Sequence, residues 1–183
     1  GDTLWIKNKL KKDFKNYKHF DIDIRNLTRL NNLFRNYKKN IKLIIHSAAQ
    51  PSHDWAKINP TIDFEVNAKG TLNIMEIVRK SKIPVTVKTR LGWDESSIKI
   101  VDVAERLQDV GIAAISIHGR TRSQMYKGRA DWSSISDVKN NPRMKIPVFG
   151  NGDVDSPEAA LEMKNKFGLD LSLIHISEPT RPG

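Results

Sequence analysis

The hydrophobic positions change period several times along the chain, and each change marks an element. HFDIDI at 19–24 predicts a short strand. RNLTRLNNLFRNYKK follows with Leu27, Leu30, Leu33, Phe34 and Tyr37 at helical spacing. IKLIIH at 41–46 is a continuous β-branched run, the pattern of a strand buried on both faces of a parallel sheet. A loop with two prolines then ends at Pro60, a residue suited to the first turn of a helix. Phe64, Ala68, Thr71, Leu72, Met75 and Val78 predict the inner stripe of that helix.

After SKIP at 81–84 the alternation continues. Strands are predicted at VTVKTR (85–90), AAISIHG (113–119) and IPVFGNG (146–152). Helices are predicted at SSIKIVDVAERLQDVG, around DWSSISDVKNN, and at SPEAALEMKNKFG. Gly111 and Gly168 fall where helix C-caps belong, and Ser156-Pro157 reads as an N-cap followed by the first helical residue. The class is therefore α/β with parallel strands. Periodicity leaves open whether the sheet is doubly wound or part of a (β/α)8 barrel.

Composition adds a boundary. Residues 1–80 carry 16 Lys+Arg against 8 Asp+Glu, whereas residues 81–170 carry 14 against 12. The excess sits in WIKNKLKKDFKNYKH and FRNYKKNIK, mixed with Asn and Tyr. Such text is either a solvated face of biased composition or a basic patch for RNA. The chain has no Cys, which excludes disulfides, thiolate metal sites and cysteine nucleophiles. No apolar run reaches the ~18 residues of a membrane span, and the first residues lack the apolar core of a signal peptide. A cytoplasmic protein cut from something longer, binding neither membrane nor metal, is expected.

HSAAQPSHDWAKINPTIDFEVNAKGTLNIMEIVRK at 46–80 resembles extended short-chain dehydrogenase/reductases, and AAQPSHDWA more narrowly the NAD-dependent CDP-paratose and CDP-tyvelose 2-epimerases. The resemblance covers about residues 1–80. It implies a partial Rossmann-like fold over 1–81, with NAD as cofactor and a sugar nucleotide as partner. It places Asp23 near the adenine, Ala48, Ala49 and Gln50 along the dinucleotide, and Asn67 in active-site support. The family's glycine-rich turn and its Tyr-x-x-x-Lys pair are absent, so the NAD residues are vestigial and no catalytic residue is assigned. His46 and His53 read as polar loop positions.

PVTVKTRLGWDE, AAISIHGRTRSQMYKGRADW and IPVFGNGDVDSPEAALEM together resemble bacterial tRNA-dihydrouridine synthases, flavin enzymes on a TIM barrel. The match covers about residues 83–170 and implies a partial (β/α)8 barrel over 82–170. FMN is then the cofactor, held by Lys88, His118, Asn151, Gly152 and Asp153, and tRNA is the partner, contacted by Arg90, Arg120, Arg122 and Lys127. Taken singly, Lys88 is equally a solvated strand-end charge, His118 a loop hydrogen-bonder, and GNG a turn. Three successive strands ending in polar residues would, in a barrel, converge on one mouth. The family passes a hydride from flavin to uracil while a cysteine protonates the ring, and this chain has no cysteine. The family's last phosphate contact, a GR after the next strand, is also missing.

GLDLSLIHIS alternates well enough to pass for that next strand. LSLIHISEPTR at 171–181 nevertheless resembles one reading frame of a transposase-based sequencing adapter, which makes 171–183 a tail of non-biological origin. Two incomplete enzyme fragments joined near 81–82 predict an inactive chain, weakly stable and prone to associate through unpaired strand edges.

Overall fold

The computed structural model describes residues 4–37, 40–50 and 53–174, and it is α/β. The chain divides into two compact units between Ile83 and Pro84.

The first unit is helical among its described residues: α1 (Leu4–Asp13), α2 (Leu27–Tyr37), α3 (His53–Ile58), α4 (Pro60–Phe64) and α5 (Gly70–Ser81), with a π-helical turn at Glu65–Lys69 joining the last two. The strands predicted at 19–24 and 41–46 do not form. Leu43 and Ile45 are 74% and 80% exposed, the opposite of a doubly buried strand. A parallel strand is held by its neighbours, and among the described residues nothing pairs with either segment.

The stripe of the Pro60 helix also differs. Val78 is buried as predicted, but Gly70, Asn73, Ile74 and Ile77 complete the buried face, while the predicted Phe64, Ala68 and Leu72 are exposed. Beyond Lys69 the π turn accounts for the shift, since one extra residue in a turn rotates the face by about 100°. On this corrected face, Asn73 Nδ2 donates to the carbonyls of Ile24 (2.9 Å) and Arg25 (3.2 Å). Gly70 lets the backbone approach Ile24, whose side chain would lie 2.5 Å from any added Cβ.

The second unit follows its predicted pattern closely. It runs β1 (Thr86–Arg90), α6 (Ile100–Asp109), β2 (Ala114–His118), α7 (Ser133–Asn140), β3 (Val148–Asn151), α8 (Pro157–Lys166) and β4 (Leu171–Leu173). Ser156 Oγ accepts the Ala159 N–H, and Gly111 and Gly168 take positive φ (94° and 66°) at the helix ends. The sheet is all parallel in the sequential order β1-β2-β3-β4. A doubly wound sheet reverses its strand order; a barrel does not, so this topology favours the barrel alternative. Ile115, Ile117 and Val148 are fully buried against Ile100, Ala104, Ile135 and Val138 of α6 and α7, which places the core on one face. The strand at Leu171–Leu173 forms, pairing Phe149 with Leu171 and Asn151 with Leu173, while 175–181 of the adapter-like segment lie outside the described residues. Within the described residues β1 and β4 are edge strands.

Candidate functional site

Register decides which side chains can meet. Arg90, His118 and Asn151 are direct neighbours across β1, β2 and β3, at the carboxyl end of each strand. One pleat below, Lys88, Ser116 and Phe149 form a second row. Side chains alternate along a strand, so both rows share the face opposite the Ile115/Ile117/Val148 core.

This face is cationic. Burial first, and then the charges of Arg90, Lys88 and Arg120, push the His118 imidazole down to about 4, with Asp153 opposing. Lys88 is lowered by burial and by Arg90. His118 Nδ1 and Ser116 Oγ are buried and lack a hydrogen-bond partner. A neutral imidazole with a free nitrogen beside two cations fits an anionic group that brings its own acceptors and donors. The chemistry of this face, which carries Lys88, His118 and Asn151, fits FMN.

The loops above the strands are braced from within. Arg120 is 6% exposed; its Nη2 bonds Asp153 Oδ1 at 2.5 Å and the Gly128 carbonyl at 2.7 Å. Asp153 Oδ2 accepts the Ala130 N–H at 2.7 Å. Burial works to raise the Asp153 carboxyl, but the Ala130 bond and Arg120 together hold it below the usual carboxylate value. Arg90 Nη1 donates to the carbonyls of Thr121 and Met125, both at 3.1 Å. Arg120 is thus engaged inside the frame, and the same loop also carries half-buried Arg122 and exposed Lys127 and Arg129. A cavity of about 370 Å³ opens beside His118, lined also by Tyr126, Gly152, Asp153 and Asp155.

The GNGD segment serves packing as well as the site. A Cβ on Gly150 would lie 2.2 Å from the Trp132 ring. Trp132 is buried and donates its indole N–H to the Gly152 carbonyl at 3.0 Å. Gly152 has φ 123°, with Ala130 only 2.7 Å from where a side chain would begin.

Sequence reading missed Ser116, Tyr126, Trp132 and Asp155. Ser116 was within reach, because it precedes His118 by two just as Lys88 precedes Arg90, and a period of two keeps each pair on one face. The loop residues carried no local signal.

The residues assigned to NAD are placed differently. Asp23 is claimed by Arg25, Nη2 to Oδ2 at 2.6 Å, and this bonding holds its carboxyl at about 2. Asn67, in the π turn, grips Gln50 on both sides: Oδ1 accepts its N–H at 2.8 Å and Nδ2 donates to its carbonyl at 3.2 Å. Ala48 and Ala49 are exposed. Since 41–46 forms no strand, this loop is not the carboxyl end of a sheet, and the residues present do not make an NAD site. His46 Nε2 lies 2.9 Å from Thr71 Oγ1, a loop hydrogen bond as expected, and the His53 side chain falls outside the described residues. Among the described residues no His/Cys/Asp/Glu cluster could hold a metal, and no helix is long and apolar enough to cross a membrane.

Comparison with known proteins finds two families, whose matches overlap over residues 71–90. Residues 3–90 match the model of the NAD dependent epimerase/dehydratase family, and residues 71–175 match that of Dihydrouridine synthase (Dus). A probable tRNA-dihydrouridine synthase 1 from Synechocystis is 48% identical over 97 residues, covering 53% of this chain and 27% of the relative. tRNA-dihydrouridine synthase B of Vibrio parahaemolyticus is 42% identical over 123 residues, covering 67% of this chain and 35% of the relative. A probable tRNA-dihydrouridine synthase of Rhizobium leguminosarum is 45% identical over 97 residues, 53% of this chain and 30% of the relative. The chain thus spans about a third or less of these relatives. The crystal structure of a hypothetical dTDP-4-dehydrorhamnose reductase from Sulfolobus tokodaii aligns over 95% of this chain and 83% of that one, at 13% identity and a TM-score of 0.41, too low to carry an argument. The chain, through residues 71–175, belongs to the dihydrouridine synthase family, while residues 3–90 are similar to the NAD dependent epimerase/dehydratase family.

Proposed function

We propose that the chain is a fragment of an FMN-dependent tRNA-dihydrouridine synthase joined to a vestigial epimerase fragment. It keeps part of the flavin and RNA contacts and lacks turnover. The observation that carries this reading is the aligned row Arg90–His118–Asn151 at three strand ends, above Lys88.

FMN, when bound, would supply the hydride for reducing uridine. Lys88 would place a positive charge beside the flavin ring, and neutral His118 would offer its free Nδ1 for a hydrogen bond. Asn151 already donates Nδ2 to the Leu173 carbonyl at 3.1 Å, which leaves its oxygen and second N–H for a ligand. Arg122 and Lys127 would meet the RNA backbone, with Arg120 and Arg90 fixing the loop that carries them. What the chain cannot supply is the cysteine proton donor, since it contains none.

The test is nucleoside mass spectrometry of unmodified tRNA incubated with the chain, FMN and a nicotinamide reductant. No dihydrouridine is expected; its formation would refute the reading. The epimerase alternative predicts NAD-dependent isomerisation of a sugar nucleotide, and the absence of its Tyr-x-x-x-Lys pair argues against that activity.

A further inference from the structure

The strongest feature outside the strand-end site is the amino-terminal stretch of the first unit. Residues 7–18 hold six lysines (Lys7, Lys9, Lys11, Lys12, Lys15 and Lys18) against a single acid, Asp13. Asp13 is taken by Lys9 at 2.7 Å. Among the described residues Lys7, Lys11, Lys12 and Lys15 form no ion pair. Lys7 and Lys11 stand four apart on α1, where like charges repel by about 0.2–0.5 kcal/mol. The fold thus carries an uncompensated cationic ridge.

Aromatic rings interleave with these charges. Phe14 and Phe20 are 55% and 46% exposed. Phe20 meets Tyr37 edge-on, with centroids 5.8 Å apart. Lys18 Nζ stands 5.4 Å from the Tyr37 centroid. Exposed rings set among unpaired cations are the two components of a single-strand nucleic-acid surface: phosphates neutralise the ridge while bases stack on the rings. An anionic membrane would use the charges, but an insertion face needs a continuous apolar stripe, and α1 has lysine at every second position from Lys7 to Lys11.

We infer that the Lys7–Lys18 ridge, with Phe14 and Phe20, binds single-stranded nucleic acid independently of the strand-end site in the second unit. The inference stands apart from the flavin reading and survives its failure.

The experiment is fluorescence anisotropy of the full chain with an unstructured 20-mer, as RNA and as DNA, across a salt series. Two further arms use a duplex 20-mer and anionic phosphatidylserine vesicles. K7E/K11E/K15E is expected to bind at least about tenfold more weakly at low salt, with the log–log salt slope reduced by about 2. F14A/F20A is expected to bind about tenfold more weakly with its slope unchanged, because stacking releases no counterions. K99E/K145E/K164E, an equal charge change in the second unit, should bind as the parent does, and circular dichroism confirms that each variant keeps its helices. Equal losses in K7E/K11E/K15E and K99E/K145E/K164E would overturn the inference, leaving net charge as the only cause. Tighter binding to the duplex or to vesicles, or an unaffected F14A/F20A, would overturn it too. Similar affinity for RNA and DNA supports recognition of phosphate and base faces; a strong RNA preference supports an added sugar contact on the same ridge.

Discussion

Arg120 Nη2 and Asp153 Oδ1 stand 2.5 Å apart, tying the loop after β2 to the end of β3. Arg120 is deeply buried, whereas the Asp153 side chain is 43% exposed, so only one partner is shielded from water. Removing the acid would strand a buried guanidinium. Removing the arginine frees a carboxylate that water can still reach.

R120M is therefore expected to be less damaging than D153L. A cost of about 1–2 kcal/mol is predicted for the arginine change and about 3 kcal/mol or more for the aspartate change. Amide exchange at Ile117 and Phe149 under native conditions measures both. Equal costs would mean that the bridge is not desolvated as described.

G150A should destabilise the second unit by about 1–3 kcal/mol, because the new methyl would meet Trp132 and Leu169 and the surrounding core has no slack. G111A meets no atom within 4 Å, and only its positive φ of 94° opposes it, so a smaller loss is expected. Urea denaturation followed by far-ultraviolet circular dichroism ranks the two.

His118 titrates near 4 in the folded chain, against 6.5 for a free imidazole. Between those values the unfolded chain binds the extra proton, so stability falls as pH drops from about 6.5 to about 4 and is regained above that window. H118N should flatten this part of the profile. Denaturation midpoints at pH 7 and pH 5 decide; the same drop in H118N as in the parent would assign the effect elsewhere.

Most of the second unit is readable from its residues. AISIH and PVFGN are short apolar runs bounded by Gly and Pro, and each found the ladder partner its pattern requires. The strand-end chemistry followed, since parallel strands in register bring their last residues together. The first unit was less readable. IKLIIH has the composition of a buried strand, but composition reports what a segment does once neighbours exist, and none pairs with it among the described residues. The helix face was displaced by the π turn at Glu65–Lys69, which no hydrophobic period announces. Arg120 looked like an RNA contact because HGRTR is a basic string; only three-dimensional placement of Asp153 shows where its charge goes.

The exposure of Leu43 and Ile45 has a direct consequence for exchange. Amides of 42–46 should exchange at rates close to those of an unstructured peptide, while those of 115–118 and 149–151 are protected. Protection at 42–46 comparable to β2 would mean that the predicted strand forms after all.

In the proposed reading, Lys88, His118 and Asn151 hold FMN in a chain without the cysteine acid. The most direct measurement is quenching of FMN fluorescence on titration with the chain, repeated with K88A, H118A and N151A. Saturable quenching is expected in the parent, with at least about tenfold weaker binding in each variant. Saturable binding indifferent to all three substitutions, or no quenching by a folded parent chain, would contradict it.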